Sequence, residues 1–176
     1  MQISMFDKSN KKYIKEASEL LIESFPHCYS DSALEEVEMC LSEDRIAVMA
    51  VENNQLVGFA GAIPQYGVTG WELHPLVVRK SHQFKGIGTL LIKALEQEVA
   101  KRGGVTIYLG TDDEFNKTSL SNCNLYEDLF DKIANIKNLD KHPYEFYLKM
   151  GYKIVGVIPD ANGIGKPDIM MAKKII

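Results

Sequence analysis

The chain has 176 residues, of which 45% are hydrophobic and 25% charged, and its formal net charge is −4. This length and composition predict one globular domain over residues 1–176 and exclude disordered, collagen-like and coiled-coil chains. The acidic balance disfavours a nucleic-acid partner. No apolar run approaches the roughly 18 residues of a membrane span. The polar amino terminus predicts a cytoplasmic protein.

The amino-terminal region predicts two helices. Apolar residues at helical spacing indicate a helix over residues 11–25. The sequence Ser32-Ala-Leu-Glu35 has the form of a capping box and predicts a second helix that ends near Leu41.

Three β-rich segments follow. Residues 45–52 and 55–63 predict an antiparallel pair, because Asn53-Asn54 between them tolerates the positive φ angles of a tight hairpin. Residues 71–78 predict a third strand. Pro75 within it cannot donate to a sheet ladder, so the strand is predicted to bulge or break there.

A strand-loop-helix-strand unit comes next. Gly86-Ile-Gly88 precedes an apolar stripe from Leu90 to Val99 that predicts a helix ending at Gly103-Gly104. Residues 105–109 fit a short buried parallel strand. The remaining predicted segments are a loop at 111–124, helices at 125–138 and 143–150, and strands at 153–157 and 169–173. The predicted fold is therefore α/β, with a mixed, mostly antiparallel central sheet flanked by helices and a bulged central strand.

The glycine loop predicts an anion site. Backbone N–H groups at a helix start bind anions, and glycines let a phosphate approach closely. The cations Arg79, Lys80 and Lys85 favour a pyrophosphate there, although the glycines alone are equally typical of a tight strand-to-helix turn. The loop matches neither the dinucleotide fingerprint, which requires a glycine where Leu91 stands, nor the P-loop.

The segment Gln83-x-x-Gly86-x-Gly88 after Leu-Val-Val resembles the acetyl-CoA signature of the GNAT N-acetyltransferase superfamily. The similarity extends through GAIPQYG, GWELHPLVV, IYLGTDD, HPYEFY and GYKIVGV to the aminoglycoside 6'-N-acetyltransferases of the chromosomal Gram-positive kind. This resemblance implies acetyl-CoA as cosubstrate, an aminoglycoside as acceptor and no metal. The cofactor-binding residues that it implies are Leu76, Val77, Val78, Gln83, Phe84, Lys85, Gly86, Ile87, Gly88, Thr89 and Tyr147.

The resemblance also implies three catalytic residues. Glu72 is expected to accept a proton from the acceptor ammonium or to position it, because such a group near its reference pKa of about 10.4 is rarely neutral at pH 7. Pro75 is expected to leave the N–H groups of Leu76 and Val78 free for pantetheine, with the Leu76 N–H directed at the thioester oxygen. Tyr147 is expected to protonate the departing thiolate.

The acceptor pocket is expected to attract polycations. Asp112 is the favoured carboxylate, since it lies at the carboxyl end of a strand, while Asp113 and Glu114 beside it are alternatives. Phe25, Tyr66 and Trp71 are each expected either to stack against sugar rings or to belong to the core or an interface. His74 alternates with Glu72 on one strand face and is expected either to line the cleft or to be a hydrogen-bonded structural histidine.

The sequence therefore predicts 6'-N-acetylation of aminoglycosides by direct attack on the thioester. Cys28, Cys40 and Cys123 form no C-x-x-C pair and are expected to be reduced thiols. Two alternatives stay open: acetylation of another amine, such as a polyamine, a peptide terminus or lysine, and a non-catalytic acyl-CoA-binding module. Relatives are commonly homodimers, and the apolar residues 169–176 are typical either of a strand that packs on a neighbouring copy or of an ordinary sheet edge.

Overall fold

The computed structural model describes all residues, 1–176. Its seven strands form a sheet in the order β1-β2-β3-β4-β5-β7-β6, and helices flank it. The elements are β1 Gln2–Met5, α1 Lys11–Ser24, α2 Pro26–Tyr29, α3 Ala33–Cys40, β2 Ile46–Glu52, β3 Gln55–Tyr66, β4 Gly70–Val78, α4 Ile87–Lys101, β5 Thr106–Asp112, α5 Leu129–Ala134, α6 Tyr144–Lys149, β6 Lys153–Ile158 and β7 Asp168–Lys174. The predicted α/β fold with a mostly antiparallel sheet is confirmed.

The chain divides into two compact units, Met1–Ile107 with Ile175–Ile176, and Tyr108–Lys174. In the first unit, β1 to β4 pair antiparallel with their neighbours in chain order. In the second unit, β6 and β7 pair antiparallel. No helix of the chain is long and apolar enough to cross a membrane.

Helices cover both faces of the sheet in the first unit. Ala47 and Met49 of β2 share a buried cluster with α1 and α3. Ala50 and its β3 partner Gly58 lie on the opposite face, because successive strand residues alternate between faces. A Cβ on Gly58 would lie 3.2 Å from a Leu91 methyl, which shows that α4 packs on that face.

The local predictions hold where short-range signals decide the backbone. Asn53 and Asn54 have φ angles of 49° and 61°, as the predicted hairpin requires. Gly151 has a φ of 91° directly after the helix that ends at Lys149 and its cap Met150.

Three predictions need correction. The side chain of Ser32 makes no capping hydrogen bond, so the capping-box interpretation is wrong although the helix is present. The helix predicted over 125–138 is confined to Leu129–Ala134, since Asp128 before it adopts a left-handed φ of 49°. The sequence patterns also missed β1 and α2, which are only four residues long.

Candidate active site

A bulge interrupts the pairing of β3 with β4. Ala60 lies opposite Leu76, and the next aligned pair is Ala62 with Leu73. One residue of β3 therefore faces two residues of β4, the cis-linked His74–Pro75 pair. The interruption predicted from Pro75 is thus present.

Gly61 is the residue of β3 that faces the bulge. A Cβ at this position would lie 2.5 Å from the His74 carbonyl oxygen. A glycine therefore lets the backbone of β3 approach the bulged peptide of β4 more closely than any side chain would permit.

The pairing of β4 determines where its amide groups point. The Arg79 N–H donates to the Val57 carbonyl oxygen at 2.8 Å, so these two residues form a hydrogen-bonded pair. Bonded and non-bonded pairs alternate along an antiparallel ladder. The N–H groups of Val78 and Leu76 consequently point away from β3.

The glycine loop connects β4 to α4. A 3-10 turn at Lys80–His82 opens it, and positive φ angles of 60° at Phe84 and 82° at Gly86 redirect the chain into the helix. The Gln83 side-chain amide donates to the Val78 carbonyl oxygen at 3.0 Å, which ties the loop to the end of β4. Phe84 itself is 99% exposed.

The first turn of α4 supplies backbone donors. The Leu90 N–H is the first that bonds within the helix, to the Gly86 carbonyl oxygen at 3.1 Å. The amides of Ile87, Gly88 and Thr89 precede it and have no intrahelical acceptor. Because the helix dipole adds positive potential there, this turn suits an anionic phosphate.

The three cations near the loop differ in their surroundings. Arg79 is held by Glu23 at 3.5 Å and lies largely covered beside β3. Lys80 and Lys85 are exposed and form no ion pair. The two lysines are therefore the cations available to a ligand at this loop.

Predicted acceptor residues surround the bulge within the first unit. Glu72 and His74 share one face of β4, and Glu72 accepts a hydrogen bond from the Gln65 side chain at 2.8 Å. The His74 Nε2 lies 3.1 Å from the Tyr29 hydroxyl and 3.5 Å from a Glu36 carboxylate oxygen.

The aromatic candidates occupy different places. Phe25 is exposed and meets Tyr29 edge-on, with ring centroids 6.0 Å apart. Tyr66 is exposed at the end of β3, opposite Gly70. Trp71 is buried and donates to the Val68 carbonyl oxygen at 2.8 Å, so of its two predicted places the structure gives it the one in the core.

The two residues that contact His74 were missed by the sequence patterns. Tyr29 lies on the four-residue helix α2, and Glu36 lies in the first turn of α3. Pro26 at the start of α2 was the only local signal for that helix. Nothing in the local sequence connects either residue to His74.

Asp112 and Tyr147 belong to the second unit. Asp112 is exposed at the end of β5 and accepts a hydrogen bond from the Asn162 side chain at 2.5 Å. Tyr147 is buried, and its ring meets those of Phe146 and Tyr152 at centroid distances of 5.2 and 5.8 Å. Burial raises the pKa of Tyr147 above its ordinary value, so its phenol keeps its proton at neutral pH.

Asp113 is structural rather than an acceptor carboxylate, which corrects its grouping with Asp112. It is buried and accepts hydrogen bonds from the Lys117 and Thr118 amides at 2.6 and 2.8 Å and from the Ser121 hydroxyl at 2.5 Å. Burial alone would raise the pKa of Asp113, but these donors outweigh it and lower the pKa. The carboxylate therefore caps the loop after β5.

His142 supports the same strand end. Its Nδ1 accepts from the Tyr144 amide at 3.2 Å, which leaves the Nε2 proton for the Asp112 carbonyl oxygen at 3.1 Å. Burial lowers the pKa of His142, so the neutral ring is favoured. No group of three or more His, Cys, Asp or Glu residues is arranged to hold a metal ion.

A bulged β4 that is followed by a glycine loop and a helix is the arrangement that defines the class of this protein. Residues 14–131 match the model of the acetyltransferase (GNAT) family, and the chain belongs to that family. No curated protein matched the chain at a significant level.

Solved structures give more specific likenesses. The crystal structure of an aminoglycoside 6'-N-acetyltransferase complexed with coenzyme A is 60% identical, with a TM-score of 0.99. The aminoglycoside 6'-N-acetyltransferase from Enterococcus faecium is 59% identical, with a TM-score of 0.97. An aminoglycoside 6'-acetyltransferase type Ii is 52% identical, with a TM-score of 0.82. Each comparison covers 100% of this chain and 98% of the other.

Proposed function

We propose that this protein is an aminoglycoside 6'-N-acetyltransferase that uses acetyl-CoA and confers resistance to its acceptors. The observation that carries the proposal is full-length identity of 52–60% with three solved enzymes of that activity, one of them holding coenzyme A. We further propose that residues 1–176 act as one acetyltransferase domain, in the cytoplasm, as a homodimer.

The glycine loop and the part of β4 that follows the bulge fit coenzyme A. Pantetheine amides would bond to the backbone of residues 76–78, whose alternate N–H groups point away from β3. The pyrophosphate would bind the loop of residues 83–89, where the amides of Ile87, Gly88 and Thr89 have no intrahelical acceptor, with Lys80 and Lys85 adding positive potential. Acetyl-CoA supplies an activated acetyl group with a thiolate leaving group, and Leu76 N–H is proposed to donate to the carbonyl oxygen of that group.

Glu72 is proposed to prepare the acceptor amine. At pH 7 only about one in a thousand ammonium groups with a pKa near 10.4 is neutral. A carboxylate that accepts the proton, directly or through water, releases the lone pair that attacks the acetyl carbonyl carbon. The C–N bond forms as the C–S bond breaks, and no acyl-enzyme is required.

Tyr147 is proposed to protonate the departing thiolate. Its phenol is protonated at neutral pH, and the burial that raises its pKa makes it a weaker acid than an exposed tyrosine. A thiol with a pKa near 8.5 already leaves well, so this contribution is expected to be smaller than that of positioning.

The environment of Cys40 is consistent with direct transfer. Burial, followed by the nearby Glu36 carboxylate, raises the pKa of the Cys40 thiol to about 12, so it is not a nucleophile at neutral pH. Phe25, Tyr66, His74 and Asp112 are proposed to contact the polycationic acceptor, with the aromatic rings against sugar faces.

Steady-state thiol release with kanamycin, spermidine and a basic peptide tests the proposal. We expect turnover on kanamycin, with mass spectrometry locating the acetyl group at the 6'-amine. Good turnover on another amine beside negligible turnover on kanamycin would reject the acceptor. Coenzyme A binding without turnover on any amine would indicate a non-catalytic acyl-CoA module.

A further inference from the structure

Tyr29, Glu36 and His74 form a hydrogen-bonded cluster on three separate elements of the first unit. The His74 Nε2 lies 3.1 Å from the Tyr29 hydroxyl and 3.5 Å from the Glu36 carboxylate. The His74 side chain is 40% exposed, whereas that of Glu36 is only 14% exposed. A mostly covered carboxylate thus lies against one nitrogen of a histidine whose ring is still accessible.

The position of the carboxylate decides which nitrogen of His74 carries the proton. A lone pair on Nε2 would face the negative charge of Glu36, while an N–H group there is attracted to it. With the proton on Nε2, the Tyr29 oxygen is the acceptor in the 3.1 Å contact. Nδ1 then holds the lone pair, and it makes no hydrogen bond with the protein.

Both partners of His74 are themselves held in place. Glu36 lies in the first turn of α3, where the helix dipole favours a negative charge, and it accepts from the Cys40 thiol at 3.7 Å. Tyr29 packs edge-on against Phe25, and burial and then the Glu36 charge raise the pKa of Tyr29 to about 12, so it remains a phenol. Glu36 and Tyr29 are therefore each held by contacts other than the one with His74.

We propose that Glu36 and Tyr29 are positioning residues that hold His74 as its Nε2–H tautomer. The Nδ1 lone pair is thereby presented, beside Glu72, as an acceptor for an N–H or O–H donor of the aminoglycoside. This inference rests on the proposed function and adds to it two residues from helices α2 and α3. It assigns them to recognition of the acceptor and not of acetyl-CoA.

The chain offers a matched control for Glu36. Glu35 is exposed in the same first turn of α3, so Glu35→Gln removes an equal charge from the helix dipole without touching His74. The variants compared are Glu36→Gln, Tyr29→Phe and Glu35→Gln, each alone and in a His74→Gln background. Circular dichroism confirms that each variant is folded.

The first readout is the ring ¹⁵N spectrum of the enzyme without substrate, in which His74 is one of only four histidines and is assigned from His74→Gln. We expect the Nε2–H tautomer in the wild type and in Glu35→Gln, and a mixture of tautomers in Glu36→Gln. An Nδ1–H ring in the wild type, or identical spectra for the two glutamate variants, would overturn the inference. This readout does not depend on turnover, so it separates the inference from the proposed function.

The second readout is kinetic. We expect Glu36→Gln to lower kcat/KM for the aminoglycoside by about tenfold, the range of one hydrogen bond to a charged group, while the KM for acetyl-CoA stays unchanged. In the His74→Gln background the same substitution should have no further effect. Equal losses in both backgrounds, or a loss shared by Glu35→Gln, would show that Glu36 acts only through stability. A wild type inactive on every aminoglycoside would reject the proposed function.

Discussion

Substitution of Gly61 by alanine tests whether the bulge of β4 depends on close contact with β3. The added Cβ would lie 2.5 Å from the His74 carbonyl oxygen and 3.4 Å from Pro75 Cδ. An ordinary carbon–oxygen contact is several tenths of an ångström longer than the first distance, so the backbone must shift. Overpacking of this kind costs about 2–3 kcal/mol of the free energy of unfolding.

The expected result has two parts. For a chain of this size, such a cost lowers the Tm by about 4–12 °C in differential scanning calorimetry. The least costly relief moves the His74–Pro75 peptide, which redirects the N–H groups that follow it in β4. We therefore expect coenzyme A affinity, measured by titration calorimetry, to fall by about tenfold.

Gly156→Ala is the matched control, since Gly156 also lies in a strand but a Cβ there meets nothing within 4 Å. Alanine at that position should leave the Tm unchanged or raise it slightly, because it restricts the unfolded chain. A Gly61→Ala protein with wild-type Tm and wild-type coenzyme A affinity would refute the close-contact explanation.

Three further predictions concern the loop, the acid and the pH dependence. Gly88→Val should weaken coenzyme A binding at least tenfold in a folded protein, because a branched side chain blocks approach to the first turn of α4; unchanged affinity would reject that placement of the pyrophosphate. Tyr147→Phe should lower kcat about tenfold with little change in acetyl-CoA binding, and an unaltered rate would remove its role as an acid. Burial lowers the pKa of His142, so below the unfolded value of about 6.5 the unfolded chain binds more protons than the folded one. The contribution of the buried, neutral His142 to the free energy of unfolding is therefore complete above that pH. It declines on acidification by at most about 1.4 kcal/mol per pH unit. The free energy of unfolding, measured by urea titration between pH 5 and 7, should change less steeply with pH for His142→Gln than for the wild type. An equal dependence on pH in both proteins would contradict this prediction.

Local sequence signals were sufficient for the backbone path from the hairpin through β4 and the glycine loop to α4. Pro75 cannot complete a ladder, Asn53-Asn54 adopts the positive φ angles of a hairpin, and Gly86 permits the left-handed turn before α4. Each effect depends on the backbone of one or two residues. The strand, loop and helix could therefore be placed in order from the sequence alone.

The short elements were beyond these signals. β1 has four residues and exists because β2 provides a partner for it, and α2 has four residues after Pro26. Such segments have too little periodicity of their own to be distinguished from loop. Because α2 was not predicted, Tyr29 was not identified as a candidate site residue.

The acceptor side depended on tertiary packing. Tyr29 and His74 are 45 residues apart in the chain, and only the folding of α2 against β4 brings the hydroxyl within 3.1 Å of the ring. Asp112 and Asp113 are adjacent and chemically identical, yet Asp112 is exposed while Asp113 is buried and caps the loop after β5. Sequence by itself determined where β4 is interrupted and where the glycine loop turns into α4, because turns and ladder breaks are local. Only the tertiary structure decided which side chains meet around the bulge, because long-range packing sets the burial and the partners of every charge.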